Sequence, residues 1–183
     1  DIVGFDPRAD RRLEAEQKYG IRTMSDWKEA AATAADAWVI STPPDTHVDY
    51  GLQAIESGVS FFTEANVTDD RTPGLIQKLN ESDVVGAPSC TLRYYLGPVK
   101  IKELLADGVI GKPLMFTYQS GQFLPDWHPW ESYKDFYVSK RETGACREIV
   151  PFELIWLVDL CEVMPIAAPG IIWKVPRYLL DPL

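Results

Sequence analysis

The sequence has few side chains that bind metals or form crosslinks. Its 183 residues include two histidines, His47 and His128, and three cysteines, Cys90, Cys146 and Cys161. The cysteines lie far apart and form no CxxC pair, so the sequence predicts neither a metal site nor a framework of disulfides. Cysteine used in this way favours a reduced, cytoplasmic setting.

Positive charge and long apolar runs are also scarce. The chain carries 18 Lys and Arg against 27 Asp and Glu, a net charge of −9. Binding to nucleic acid needs clustered Lys and Arg, whereas here they are scattered, so we expect no nucleic acid partner. No apolar run approaches the roughly 20 residues that span a bilayer, and no signal peptide is visible. We expect a soluble protein with no membrane partner.

The first half of the sequence alternates strands and helices, which predicts βαβ units and a parallel sheet. The strands read as continuous apolar runs, typical of strands buried on both faces. Ligands bind beyond the carboxyl ends of such strands, and these ends carry Asp6, Ser41–Pro44, Glu64 and Ser89. This edge is therefore a candidate ligand site. The predicted strands are 2–5, 37–42, 59–64 and 83–89, and the predicted helices are 6–20, 44–58 and 72–82.

After about residue 90 the pattern changes, which predicts a second domain of the α+β class. We therefore divide the chain into a nucleotide-binding domain, 1–90, and a partial C-terminal domain, 91–183. The second half is predicted to form a helix over 97–111, an extended strand over 112–123, an aromatic loop over 125–137 and an apolar helix over 144–162. We expect this last helix to be broken, or to begin, near Pro151.

Four stretches carry a resemblance to known proteins. The first stretch in the chain is DIVGFDPRADR. The second is a strand–TPP–His–helix–Gly–strand–Glu block, VISTPPDTHVDYGLQAIESGVSFFTE. The third and fourth stretches are CTLRYYLGPVKIKELLADGVIGKPL and TGACREIVPFELIWLVDL. From residue 1 to about 162 these resemble the Gfo/Idh/MocA-type oxidoreductases, the family of glucose–fructose oxidoreductase and inositol dehydrogenase.

The resemblance implies a Rossmann-type α/β fold followed by part of an α+β substrate and oligomerisation domain. It further implies an NAD(P)-dependent oxidoreductase that acts on a sugar, polyol or sugar derivative and that assembles into a homo-oligomer. The family's fold begins with a strand and a GxGxxG turn that binds the pyrophosphate, and this sequence contains no such turn. We therefore expect a chain truncated at both ends, by roughly 30 residues at the amino end.

The stretch FFTEANVT departs from the family pattern. The family has Glu-Lys-Pro here, with the Glu at the nicotinamide ribose and the Lys at the hydride-transfer site. This chain keeps Glu64 but has Ala65 and Asn66 in the next two places. The family's Asp-x-x-x-His maps onto Glu148 and Phe152, so the acid is kept and the imidazole is lost.

Three interpretations of these losses remain open. The chain is a catalytically silent relative that binds nucleotide or sugar, or it is an NAD-using lyase or hydrolase of the same fold, or the acid–base role has moved to other side chains. Histidine is a common residue for proton transfer to or from a hydroxyl or carbonyl, which favours His128, although a His between tryptophans is often a packed ring. The candidates are His128, Glu148, Tyr133 and Lys134. Arg147, beside Glu148, either pairs with that carboxylate or binds a carboxylate or phosphate of the substrate.

Asp6 is the strongest candidate for recognition of the cofactor. An acid at the end of this strand accepts the ribose hydroxyls and repels a 2′-phosphate, which favours NAD over NADP. The alternative is structural: Asp6 caps the following helix, with Pro7 in its first position. Arg8 lies close enough in sequence to reach adenine or a phosphate.

The remaining candidate cofactor residues belong to two segments. The resemblance implies that His47 faces the cofactor, whereas a stiff strand-to-helix turn alone would explain the prolines. The resemblance implies that Arg93 lies near the nicotinamide or the substrate, and the alternative is an ordinary surface arginine. The candidates are Ser41, Thr42, Pro43, Pro44, His47, Glu64 and Arg93.

Overall fold

The computed structural model of the chain describes residues 1–64 and 69–161. These residues divide into two units: the first holds 1–64 and 69–88, and the second begins at Ser89. Within the described ranges, none of the helices is both long enough and apolar enough to cross a membrane.

The first unit is an α/β unit with parallel strands, as predicted. Strand β1 pairs with β2 in parallel, and β3, β4 and β5 form a second parallel sheet in that order. The strands are β1 (Val3–Phe5), β2 (Arg22–Met24), β3 (Ala37–Ile40), β4 (Ser60–Thr63) and β5 (Gly86–Pro88).

The strands form two sheets rather than the single sheet that the sequence predicts. No ladder joins β1 to β3 in the described residues. Instead, both strands line one groove of about 710 Å³, to which Val3 and Val39 contribute. Val39 is 72% exposed as a consequence. The prediction that these strands are buried on both faces is therefore wrong for β3, whose burial alternates.

The core of the first unit lies between β3, β4 and the helix that joins them. Trp38, Ile40, Ala54 and Phe61 form its buried cluster. Helix α3 follows a 3-10 turn, Pro44–Thr46, and contributes Ala54 to this cluster. The helices of the unit are α1 (Ala9–Tyr19), α2 (Trp27–Ala31), α3 (His47–Glu56) and α4 (Thr72–Asn80).

Strand β2 and helix α2 were not predicted from the sequence. The Asp26 carboxylate caps α2 by accepting the Glu29 N–H at 3.0 Å. The Trp27 ring then packs edge-on against Trp38, with the ring centroids 5.0 Å apart, and against Tyr50 at 4.7 Å. One indole therefore anchors this short segment to the core.

Helix α1 begins later than predicted, and Asp6 is not its cap. The helix starts at Ala9, with Arg8 in the capping position and no side-chain cap bond. Asp6 instead accepts the Arg8 N–H at 2.7 Å, a local turn that ends before the helix begins. Gly20 does end the helix, as predicted, with a φ of 65° that glycine adopts without strain.

The second unit is helical in its described part. The predicted strand over 112–123 is wrong, since no described strand pairs with this segment. The rings of Phe116 and Tyr118 pack against Trp156 instead. Its helices are α5 (Leu96–Ala106), α6 (Leu124–Trp127) and α7 (Ala145–Cys161).

Helix α7 neither begins nor breaks at Pro151, contrary to the prediction. It runs from Ala145 to Cys161 with the proline inside it. Proline removes one backbone donor, which would otherwise serve the carbonyl four residues earlier, that of Arg147. One missing bond within a helix of 17 residues is tolerated here.

Candidate functional site

The polar ends of β3 and β4 lie at one edge of the sheet. The two strands run in parallel register, with Ile40 opposite Thr63. The Glu64 N–H then donates to the Ile40 carbonyl at 3.0 Å. Ser41 and Glu64 therefore leave neighbouring strands at the same level, as the sequence predicts for a ligand-binding edge.

The turn that follows β3 is held by side-chain hydroxyls. The hydroxyls of Thr42 and Thr46 lie 2.7 Å apart. Thr46 also donates to the Pro43 carbonyl at 2.7 Å, and Pro44 is buried at the start of the 3-10 turn. This turn presents Ser41, which is exposed, beside a rigid backbone.

His47 is the buried polar residue of this edge, with 3% of its surface exposed. Its Nε2 lies 2.7 Å from the Thr42 carbonyl oxygen. Burial lowers the pKa of His47, although the Thr42 carbonyl and the charges of Glu64 and Asp45 oppose this in part. The ring is therefore neutral near pH 7, with the proton on Nε2. Its Nδ1 is buried and has no partner in the described residues.

Asp6 and Arg8 lie at the end of β1. The Asp6 carbonyl accepts from Arg12 at 2.7 Å, while only Oδ1 of its carboxylate accepts a hydrogen bond within the described ranges. The Arg8 guanidinium binds both carboxylate oxygens of Asp10, at 3.2 Å and 2.6 Å. This pairing lowers the pKa of Asp10. An adenine or phosphate contact by Arg8 would have to compete with Asp10.

The residues of the first unit fit the ribose-binding ends of a dinucleotide. The orphaned, buried Nδ1 of His47 is the observation that a purely structural edge does not explain. The exposed Glu64 carboxylate takes part in no hydrogen bond among the described residues, and Oδ2 of Asp6 is available to a hydroxyl. The sequence contains no GxGxxG turn for the pyrophosphate.

In the second unit, His128 stacks on two aromatic rings. Its imidazole stacks on Phe136, with the ring centroids 4.6 Å apart and the planes 5° from parallel. It also stacks on Trp130 at 5.0 Å and 18°. Its Nδ1 lies 2.8 Å from a carboxylate oxygen of Glu131, a residue that the sequence analysis did not single out.

Glu148 is linked to the loop that carries His128. The Tyr137 hydroxyl donates to Glu148 at 3.2 Å, and the Tyr137 ring packs edge-on against Phe136. Thr143, which is 1% exposed, donates to the Tyr137 carbonyl at 2.6 Å. Contacts through Phe136 and Tyr137 thus link His128 to Glu148. Nothing in the sequence indicated that Thr143 would hold the backbone of Tyr137.

The other two candidate acid–base residues, Tyr133 and Lys134, interact with each other. The Lys134 ammonium lies 5.8 Å from the centre of the Tyr133 ring, a cation–π distance. The Lys134 backbone N–H donates to Ser132 at 3.3 Å. This arrangement orients both side chains within the same loop.

Arg93 lies in an ionic cluster of the second unit. Its guanidinium is 2.7 Å from Asp159, and Lys102 reaches the other oxygen of that carboxylate at 2.9 Å. The bond from Lys102, together with Arg93, lowers the pKa of Asp159. These residues and Trp156 line a pocket of about 350 Å³. The cluster ties α7 to α5, and a ligand contact of Arg93 stays a prediction.

Ala65 and Asn66, which stand where the family has Lys and Pro, lie outside the described residues. Any argument about these two residues therefore rests on the sequence alone.

Ser89, which follows β5 at the same edge of the sequence-predicted sheet, is buried, and its hydroxyl lies 3.2 Å from that of Thr91.

Comparison with known proteins agrees with this fold. Residues 2–79 match the sequence model of an oxidoreductase family with an NAD-binding Rossmann fold. No curated protein matches the chain.

Solved structures share the fold at low sequence identity. A putative myo-inositol dehydrogenase from Sinorhizobium meliloti 1021 is 18% identical, with a TM-score of 0.71, over 90% of this chain and 48% of its own. The myo-inositol 2-dehydrogenase from Lactobacillus plantarum is 17% identical (TM-score 0.57; 61% and 34% covered). The WlbA dehydrogenase from Bordetella pertussis, solved with NADH and UDP-GlcNAcA, is 19% identical (TM-score 0.55; 58% and 33% covered). The chain thus spans about a third to a half of the length of these proteins.

Proposed function

We propose that the protein oxidises a sugar, a polyol or a sugar derivative with a nicotinamide cofactor. Residues 2–79 match the sequence model of the Gfo/Idh/MocA oxidoreductase family, which supports this proposal. The observation that carries this proposal is the polar edge beyond β3 and β4. Ser41 and Glu64 leave paired strands there, beside the buried His47 with its unpartnered Nδ1. A fold retained only as a scaffold has no need of such an edge.

The residues of the first unit would hold the cofactor. Asp6 would accept the hydroxyls of the adenosine ribose, which favours NAD over NADP. Glu64 would accept a hydroxyl of the nicotinamide ribose, and Arg8 would lie beside the adenine or a phosphate. When bound, NAD supplies an acceptor for the hydride of the substrate. The turn Ser41–Thr42–Pro43–Pro44 and His47 would complete the contacts.

The substrate class is a carbohydrate or polyol. Two of the similar folds are named as inositol dehydrogenases, and a third was solved with UDP-GlcNAcA. The aromatic rings around His128 offer flat apolar faces to a sugar ring. Oxidation of an alcohol releases a hydroxyl proton, and Ala65 cannot accept it. His128 and Glu148 are therefore the proposed proton acceptors, with Tyr133 and Lys134 as the alternatives.

Titration of the full-length protein with NADH, followed by nicotinamide fluorescence, tests cofactor binding directly. We expect saturable binding, and then reduction of NAD with one of myo-inositol, D-glucose and UDP-GlcNAcA. His128→Gln should lower turnover at least tenfold, since positioned proton transfer contributes about 10²–10⁴-fold, and should leave NADH binding unchanged. Absence of NADH binding would contradict the proposal.

Ala65 in the lysine position favours a second candidate function, a relative that binds nucleotide or sugar without redox turnover. The two functions differ in one measurement. A binding protein takes up NADH but reduces no NAD with any sugar or polyol. Ala65→Lys would then create activity, whereas in a working enzyme with a relocated acceptor it would bring no gain.

We also propose self-association, which the family resemblance implies. Leu114 and Met115 are 95% and 85% exposed in the second unit, and apolar surface of this kind is normally covered. Light scattering of the full-length protein at micromolar concentration should show a dimer or a tetramer, and a monomer would contradict this part of the proposal.

A further inference from the structure

The contacts of His128 in the second unit indicate which of its two ring nitrogens is available to accept a proton. His128 Nδ1 lies 2.8 Å from Oε1 of Glu131. The Glu131 backbone N–H donates to the His128 carbonyl at 3.0 Å. This turn between the two residues brings the carboxylate back onto the imidazole edge. An ionised carboxylate only accepts hydrogen bonds, so the neutral ring must carry its proton on Nδ1.

Aromatic rings and Glu131 together fix the orientation of the imidazole. The ring stacks on Phe136 and on Trp130, with planes 5° and 18° from parallel. A partial rotation of the ring about its Cβ–Cγ bond would break both stacks, and a half-turn would break the contact of Nδ1 with Glu131. Hydrogen bonds form at the edge of the ring, where Glu131 occupies the Nδ1 side.

The Nε2 atom is then a free acceptor. In the part of the chain that the structure describes, no hydrogen bond involves His128 Nε2. The side chains of His128 and Glu131 are 27% and 35% exposed, so the pair is accessible yet held. A ring packed only for stability would not need a carboxylate to choose its tautomer.

We propose that Glu131 and His128 form a dyad in which Glu131 keeps the proton of the imidazole on Nδ1, so that Nε2 accepts a hydroxyl of a sugar or polyol. This inference rests on the proposed function, since it assigns that function's proton acceptor. His128 is the catalytic residue and Glu131 a positioning residue.

The proton balance of the step is simple. The substrate O–H bond breaks, its proton forms a bond to His128 Nε2, and the ring becomes an imidazolium beside the Glu131 carboxylate. The oxygen keeps the electron pair of that bond and forms the carbonyl, and a bound oxidised nicotinamide would supply the acceptor for the hydride that leaves the carbon. Glu131 stabilises the imidazolium by its charge and is not itself protonated.

Nuclear magnetic resonance of the ring nitrogens tests the dyad without any turnover. The chain is labelled with ¹⁵N-histidine and studied at about pH 8, where histidine side chains are generally neutral. His128→Gln assigns the signals, because only His47 then remains. We expect wild-type His128 to carry its proton on Nδ1. A proton on Nε2 would overturn the dyad.

Two substitutions of Glu131 separate its charge from its hydrogen bond. Glu131→Ala removes the acceptor, so the signals of the two nitrogens should move toward each other. Glu131→Gln retains a carbonyl acceptor and should preserve the Nδ1–H form. Glu142→Ala is the control, because this exposed residue of the same unit has no contact with His128 in the described residues. Unchanged signals in Glu131→Ala would also overturn the dyad.

Ligand titration tests the free nitrogen. Adding myo-inositol, D-glucose or UDP-GlcNAcA in the presence of NADH should shift the Nε2 signal with at least one of the three, and no shift with any of them would overturn the acceptor role. With the active ligand, Glu131→Ala should lower kcat about tenfold at an unchanged KM, and Glu131→Gln should recover part of this loss. An unchanged kcat in Glu131→Ala would overturn the positioning role.

The failures of this inference and of the proposed function are distinguishable. A chain that does not bind NADH defeats the proposed function, whatever the ring nitrogens show. A chain that binds NADH but carries the proton on His128 Nε2 defeats the dyad alone.

Discussion

His47 Nε2 lies 2.7 Å from the carbonyl oxygen of Thr42, so the first residue of α3 is tied to the turn that follows β3. The bond bridges the 3-10 turn Pro44–Thr46 and holds the proposed cofactor edge in one conformation. Because the ring is buried, the bond has consequences for stability as well as for the site.

The first prediction concerns the pH dependence of stability. Burial lowers the pKa of His47 below its ordinary value of 6.5. The stabilisation that comes from keeping this ring neutral is therefore fully present above about pH 6.5 and is lost as the pH falls through the lower, folded value. Urea unfolding between about pH 7.5 and pH 5 should show a declining free energy of unfolding.

Substitution of each histidine identifies the source of that decline. His47→Gln should flatten the dependence, because the titrating group is removed. His128→Gln is the matched control and should leave it in place, since His128 lies in the second unit. Equal slopes for wild type and His47→Gln would show that other groups govern this range.

The second prediction concerns the choice of cofactor. Asp6→Ser removes the carboxylate that would bind the ribose hydroxyls, so NADH affinity should fall about tenfold, or about 1.4 kcal/mol. The ratio of NADH affinity to NADPH affinity should also fall, because the 2′-phosphate of NADPH would no longer be repelled by a carboxylate. Fluorescence titration with both cofactors measures this, and Asp83→Ser, an exposed change in the same unit, is the control. Tighter binding of NADPH by the wild type would count against Asp6.

The third prediction concerns the attachment of α7. Asp159→Asn keeps the side-chain volume but removes the charge that pairs with Arg93 and Lys102. We expect the free energy of unfolding to fall by about 1 kcal/mol, since partly exposed ion pairs contribute about 0.2–1 kcal/mol each. Glu103→Gln, which removes an exposed pair with Lys100 within α5, should cost less. Equal costs would mean that the cluster does not attach the helix.

The fourth prediction concerns Gly144, just before α7. A Cβ atom there would lie 2.8 Å from the Lys140 carbonyl oxygen, and a backbone atom cannot move aside cheaply. Gly144→Ala should therefore destabilise the chain by about 1–3 kcal/mol. At Gly121 a Cβ would meet nothing within 4 Å, so Gly121→Ala should stay within about 0.5 kcal/mol. Thermal unfolding of the two variants measures this difference, and the prediction is wrong if both substitutions leave the stability unchanged.

Local features of the sequence were sufficient for five of the seven described α-helices, all except α2 and α6, and for the place of the ligand edge. Gly20 and Gly58 end their helices with φ of 65° and 67°, which follows from the missing Cβ alone. The polar residues after β3 and β4 share an edge because parallel strands end together. Even the missed helix α2 had a local signal: Asp26 with Glu29 after it is the pattern of a capped start.

Only the tertiary structure decided the features that depend on a partner distant in sequence. The segment 112–123 has the composition of a strand, yet a strand exists only where another backbone pairs with it, and its rings pack on Trp156 instead. Likewise, nothing near Val39 in the sequence says that β3 borders a groove. The aromatic stack on His128 depends on Phe136 folding back onto it. Propensity and capping act within a few residues, whereas pairing and stacking need two segments whose meeting is a property of the whole fold.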